Sequence, residues 1–236
     1  MDTQTRHALK QDGFVEATAT GIGWASEHRG TLVKTAVTLL ITAAVIVAAV
    51  LLYTARESKA EELFGQAMSI YGTALRQAGQ PAAPGEASYA TATERAKAAN
   101  PIFSQVASQY GWFRVGTNAR YFTGLTEQDL GQTAAAESDL KKAAESMDQG
   151  VAALAKMALA NLYHQTNRDP QAIATLQELI KNPSVTVPSN ASKLQLAGLY
   201  ETTQPQEAKR LYAEIKDQDK ETAAGQIAAQ KLQTLK

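Results

Sequence analysis

The sequence predicts an all-α chain: a single N-terminal transmembrane helix followed by an α-solenoid of helical hairpins. Three observations carry this. Thr35 to Tyr53 is a stretch of nineteen residues without a formal charge. Downstream of it, apolar residues recur at three- and four-residue steps. One pattern of small and large residues then returns after 36 positions, and again after 36 more.

The apolar stretch comes first. At ~1.5 Å per helical residue it reaches roughly 28 Å, about the hydrocarbon thickness of a bilayer. Lys34 closes it on one side and Arg56, Glu57 and Lys59 on the other, charges that are expensive to bury in lipid. A cleaved signal peptide fits poorly, because 34 residues precede the run, it is too long, and no small-x-small site follows Tyr53. A buried core helix would keep a polar stripe, and here only Thr35, Thr38 and Thr42 interrupt the run. We therefore expect an uncleaved anchor over 35–53 and a helical domain over 54–236. Residues 1–34 form a short tail: Leu9, Phe14, Val15, Ile22 and Trp24 sit among small and charged residues, a loosely amphipathic pattern that fits a helix on the membrane face or a free tail. Arg29 and Lys34 before the span balance Arg56 and Lys59 after it, and Arg6 and Lys10 tip the count toward an inner N-terminus.

The totals exclude several classes. With 23 basic and 23 acidic residues there is no net charge to attract nucleic acid, and no Cys for disulfides, thiolate metal sites or a thiol nucleophile. Aromatics are only 6 % while alanine is abundant, which favours close-packed helices.

From Thr31 to Phe64 there is neither Gly nor Pro, so the helix is expected to continue past the span. Ala60, Leu63, Phe64, Ala67, Ile70, Tyr71, Ala74 and Leu75 give it an apolar face, a stalk helix over 57–78. Gln80 to Ala87, with two Pro and a Gly, reads as a loop over 80–87.

The repeats follow, over about 88–217. Gly124, Gly131, Ala136, Leu140 and Ala143 have the spacing of a tetratricopeptide repeat, and a shift of 36 gives Ala160, Asn167, Ala172, Leu176 and Leu179. A second shift reaches Ala208, Tyr212 and Ile215, with Leu196, Ala197 and Tyr200 on the preceding helix after a one-residue adjustment. Small residues at Gly124, Ala160 and Ala197 let the first helix of each hairpin approach the second; Leu140, Leu176 and Tyr212 then fill the space between units. Asp169-Pro170 reads as an N-cap with Pro at N1, Thr203-Gln204-Pro205 as another start, and Asn182-Pro183 with Val187-Pro188 as breaks. Ala99, Phe103 and Val106 repeat the second-helix spacing, and 221–235 reads as a capping helix. Three to four hairpins in a right-handed superhelix are expected, with an irregular helical bundle as the rival.

No catalytic constellation emerges: His7 and His28 lie in the tail, His164 stands alone, and no phosphate loop or GxSxG pattern occurs. Neither a cofactor nor a metal site is expected. Asp139/Lys142 and Glu207/Arg210 read as solvated helix faces. A solenoid works through its concave side, and repeat register places there Asn118, Tyr121, Leu125 and Gln128, then Leu154, Met157, Asn161 and His164, then Leu194 and Glu201. Tyr, Met, Leu and amides suit a bound polypeptide, although Leu154 and Met157 fit a buried core equally well. Met157 and Tyr121 stand where a clamp for acidic C-terminal tails would carry Lys or Arg.

The architecture resembles the YfgM-type ancillary subunit of the bacterial SecYEG translocon. Trp24-Ala25-Ser26-Glu27-His28-Arg29-Gly30 before the span is similar to that family's juxtamembrane pattern, and the likeness continues through the stalk and the block from Ala119 to Ala143. Phe103-x-x-Val106-x-x-x-Tyr110 is shared more widely among envelope repeat proteins. The resemblance implies a single-pass inner-membrane anchor with the N-terminus cytoplasmic and the repeats in the periplasm. The implied partners are client polypeptides or translocon and chaperone subunits. The alternative is a scaffold subunit of another envelope complex, for outer-membrane assembly or division.

Overall fold

The computed structural model of the chain describes residues 20–77 and 88–235. The tail up to residue 19 and the expected loop over 80–87 lie outside the described residues. What is described is all-helical, without a strand, and divides into two compact units, Met1–Ala55 and Arg56–Lys236.

The first unit is helical over residues 20–27, where Trp24 stacks on His28 with ring centroids 4.8 Å apart. Helix α1, Arg29–Tyr71, begins two residues later and runs unbroken for 43 residues, as the lack of Gly and Pro between Thr31 and Phe64 requires. It is the one described helix long and apolar enough to cross a bilayer, with a mean hydropathy of 2.7 over an 18-residue window of which nothing is buried. Its hydroxyls are satisfied within the helix: Thr35, Thr38 and Thr42 each donate to the carbonyl four residues back at 2.8–2.9 Å. In lipid that internal pairing is the only one on offer.

The second unit holds the last turns of α1 and eight further helices: α2 (Ala92–Gln109), α3 (Arg114–Asp129), α4 (Thr133–Ala144), α5 (Gln149–Gln165), α6 (Asp169–Lys181), α7 (Ser189–Thr203), α8 (Pro205–Gln218) and α9 (Ala223–Thr234). The starts have local causes. Thr91 accepts from the Glu94 N–H at 3.1 Å while the Glu94 carboxylate takes the Ala90 N–H at 2.8 Å, a reciprocal cap. Asp148 caps α5 through Gly150 and Val151, Thr222 caps α9 through Gly225, and Pro170 and Pro205 sit in the first turns of α6 and α8. Asp169 is not the cap expected of it. Arg168 takes that place, Asp169 is the first helical residue, and its carboxylate faces His164 instead.

The stalk helix also ends earlier than its apolar pattern suggested, at Tyr71 rather than 78. Gly72 weakens the helix there, and competing main-chain bonds take the next residues. Leu75 bridges to Tyr89, the Arg76 N–H donates to the Tyr89 carbonyl at 2.9 Å, and the Thr73 carbonyl accepts from Arg95 at 3.1 Å. Ala74 and Leu75 are therefore not helical.

Successive helices pack antiparallel, and side-chain pairs give the register. Arg95 lies over the Tyr71 ring, Phe64 meets Phe103, and Ala60 is buried with Val106 and Ala107, so α2 runs back along α1. Thr93 reaches the Asp129 carbonyl, Asn100 reaches Thr126, and Arg120 reaches the Ala107 carbonyl, so α3 reverses again. Further along, Arg120 pairs with Asp139, Lys156 with Glu178, and Lys193 with Glu214. The even-numbered helices α4, α6 and α8 begin at residues 133, 169 and 205, 36 apart as the repeat demands.

The small and large positions behave as packing predicts. Ala136, Leu140, Ala160, Ala172, Leu176, Ala197, Ala208 and Tyr212 are all buried. Gly124 shows why: a Cβ there would stand 2.6 Å from Leu140 Cγ, so the two helices touch backbone to side chain. Phe64, Tyr71, Phe103 and Phe122 form an aromatic cluster at one end, with centroids 5.2–6.1 Å apart.

Candidate functional site

Six of the ten residues assigned to the concave face come together. Tyr121, Leu125 and Gln128 on α3 and Leu154, Met157 and Asn161 on α5 line one solvent-open hollow of about 290 Å³. They converge because α3 and α5 are each the first helix of a hairpin and pack on one another, and residues three and four apart share a helix face. Leu154 and Met157 are half-buried: each lines the hollow and also packs on the core, so both sequence readings apply.

The other four stand elsewhere. Asn118 is half-buried on α3, one turn short of the hollow. His164 is exposed, with Nδ1 2.7 Å from Asp169 Oδ1, an acidic partner that the spacing on α5 alone did not reveal. Leu194 packs on the core of α7, α8 and α9. Glu201 ties those three helices together, accepting from the Tyr212 hydroxyl at 2.6 Å and pairing with Lys231 at 2.9 Å. These bonds hold the Glu201 carboxyl below its usual range, the Tyr212 bond contributing most.

The structure adds lining residues that periodicity missed, chiefly Tyr71, Asp129 and Gln165. Tyr71 read as core in the stalk and is the last residue of α1; Asp129 follows Gln128 where α3 ends. Among the described residues, Asp129 is the one formally charged residue lining the hollow. Its carbonyl accepts from Thr93, while its carboxylate makes no hydrogen bond or ion pair among the described residues. Burial pushes its pKa up and the neighbouring Arg95 charge pulls it back. Arg95 is itself held, stacked 4.9 Å over the Tyr71 ring and donating to Thr73. Burial raises the phenols of Tyr71 and Tyr121, so both remain hydrogen-bond donors at neutral pH. Leu125, Leu154 and Met157 form an apolar floor, amides stand at the rim, and the Asp129 carboxylate adds a formal negative charge.

A larger hollow of about 560 Å³ lies between α5 and α6, lined by Lys156 and Glu178, which pair with each other, and by Lys181. Among the described residues no three His, Cys, Asp or Glu side chains come together to hold a metal. Of the pairs expected as solvated faces, Glu207 and Arg210 are exposed and bonded at 2.9 Å. Asp139 differs. Its side chain is only 20 % exposed, because it accepts from Arg120 at 2.9 Å across the α3–α4 contact in addition to Lys142 at 3.6 Å.

Glu127, beside the hollow in sequence but not lining it, is 8 % exposed, and one of its carboxylate oxygens is buried without a hydrogen-bond partner. Burial, then the Asp139 charge, push its pKa up to about 7, against a smaller pull from Lys142. A folded-state pKa above the unfolded one means the folded chain binds the extra proton, so this residue's contribution to stability is full below pH ~4.5 and is lost as pH rises through 7. Glu127→Gln, which cannot ionise, is expected to gain about 3 kcal/mol relative to wild type at pH 8 and nothing at pH 4. Urea unfolding at the two pH values, followed by circular dichroism, measures the difference.

Comparison of the chain with protein-family models, with curated proteins and with solved structures finds no match.

Proposed function

We propose that the chain is a membrane-anchored protein-binding module of the YfgM type. Residues 35–53 cross the bacterial inner membrane with the N-terminus cytoplasmic. The second unit is a tetratricopeptide-like, right-handed solenoid in the periplasm that holds client or partner polypeptides beside the Sec translocon and periplasmic chaperones. The observation that carries this reading is the convergence of Tyr121, Leu125, Gln128, Leu154, Met157 and Asn161, chosen by repeat register, on one hollow with an apolar floor and polar rim. The 36-residue interval between the starts of α4, α6 and α8 supports the repeat. A weak groove gains from the tether, because anchoring raises its local concentration where nascent chains emerge.

Protease treatment of right-side-out spheroplasts tests the placement. Digestion of the second unit from outside, with translocon subunits co-purifying in mild detergent, is the expected result. Protection until lysis would put the hollow in the cytoplasm. Stoichiometric partners that persist when secretion is blocked would favour the envelope scaffold.

A further inference from the structure

Five large apolar side chains of the second unit stand in solvent among its described residues. Leu75 and Ile227 are less than half exposed, but Trp112 is 88 %, Met147 100 % and Val185 98 % exposed. These three share a position in the fold. Trp112 lies in the loop from α2 to α3, Met147 in the loop from α4 to α5, and Val185 in the loop from α6 to α7.

Contacts place the loops side by side along one edge. Arg114, two residues past Trp112, pairs with Asp148, next to Met147, at 3.4 Å. Thr186, next to Val185, donates to the Gly150 carbonyl at 2.8 Å. The antiparallel register puts the start of this unit, Arg56 to Ala60, at the same end, since Ala60 is buried with Val106 and Ala107 near the end of α2. Of the described residues at the opposite end, the turns 130–132, 166–168 and 204 expose no large apolar side chain, and the connection from α1 to α2 exposes only Leu75. One exposed hydrophobe is ordinary; a row of three on one edge, each at least 88 % exposed, against Leu75 at 41 % opposite, marks a contact surface.

We propose that this loop edge rests on the lipid surface, with Trp112, Met147 and Val185 entering the headgroup region. The inference rests on residues 35–53 spanning a bilayer. Chain connectivity then fixes the lipid within a few residues of Arg56, at the end of the unit where the row lies. Trp favours the membrane interface, and shallow insertion suffices because the tether keeps the edge at the surface. The three loops carry Glu145 and Asp148 and are flanked by Arg114 and Lys181, so the edge has no net charge to draw it to anionic lipid. The contact is apolar and insensitive to salt.

The test uses the full chain with Trp24→Phe, leaving Trp112 as the one tryptophan, in phosphatidylcholine vesicles containing acyl chains brominated near the headgroup. At least twofold quenching of Trp112 by the brominated lipid is expected, unchanged by salt. Met147→Glu with Val185→Glu should halve that quenching while the helical circular dichroism stays constant. Emission that iodide quenches freely and brominated lipid does not overturns the proposal. So does a blue shift that grows with protein density without bromine quenching, which would assign the edge to a second copy of the chain. A chain that fails to float with the vesicles overturns the span, and this inference with it.

Discussion

Gly116→Ala is expected to lower the stability of the second unit by about 3 kcal/mol, a severe loss for a single methyl group. Gly116 is the third residue of α3, and a Cβ there would stand 2.0 Å from the Tyr110 carbonyl oxygen and 2.5 Å from its carbon. Both atoms are backbone, so no rotamer relieves the clash and the α2–α3 corner must open. Gly225 occupies the same place in α9, 2.0 Å from the Asp219 carbonyl oxygen. In both corners the glycine follows the C-cap by six residues, and the two C-caps share a conformation, φ −126° and ψ 28° at Tyr110, φ −131° and ψ 42° at Asp219. The corner from α4 to α5 has the same length, but its C-cap Glu145 sits at φ −86° and ψ 2°, and Val151 is accommodated at the equivalent position. The glycine thus follows the turn geometry. Urea unfolding of the full chain in detergent should rank Gly116→Ala above Gly124→Ala, because the latter clash is mainly with the Leu140 side chain, which can shift. Gly225→Ala should fray α9 while leaving the main transition near its wild-type midpoint, since α9 packs only on α7 and α8. Equal stability of Gly116→Ala and wild type would contradict the close approach at this corner.

These glycines also show where sequence reasoning stops. Gly124 was legible because its role belongs to a repeated pair with Leu140, and register carried it to Ala160 and Ala197. Gly116 belongs to a corner that takes glycine again only at Gly225, about three repeats on, with Val151 at the equivalent position between, so no glycine recurs from one repeat to the next. The anchor helix and the even-numbered helices followed from hydropathy and spacing, both local signals. The early end of the stalk did not, because it is decided by Tyr89 and Arg95, which come later in the chain and lie outside the stalk's own periodicity. The candidate site divides in the same way. Residues on α3 and α5 were readable from helix faces, whereas Tyr71 and Asp129 enter from helix ends, where periodicity carries no directional information. Glu201 was placed on the working face because register ignores what a neighbouring helix supplies, here the Tyr212 hydroxyl and the Lys231 ammonium.

Asp129 and Tyr121 give the remaining large effect, and they should separate affinity from discrimination. Tyr121→Ala removes a half-buried aromatic wall of the hollow, the kind of anchor whose truncation costs about 2 kcal/mol of binding, so every peptide ligand is expected to weaken roughly thirtyfold. Asp129→Asn keeps the shape and removes the one formal charge. An apolar peptide with a central Lys should then lose about tenfold in affinity, while the same peptide with Gln there changes little. The argument turns on Arg95, which is close enough to lower the Asp129 pKa yet is committed to the Tyr71 ring and the Thr73 carbonyl. A carboxylate left with an unfilled coordination sphere in a partly desolvated hollow attracts a client cation more strongly than one exposed to water. Anisotropy titrations of labelled Lys and Gln peptides against the full chain in nanodiscs measure both effects, with circular dichroism confirming that each variant is folded. If wild type binds the two peptides equally, Arg95 neutralises Asp129 and the hollow selects by shape alone; if Tyr121→Ala leaves both affinities intact, peptides bind elsewhere on the second unit.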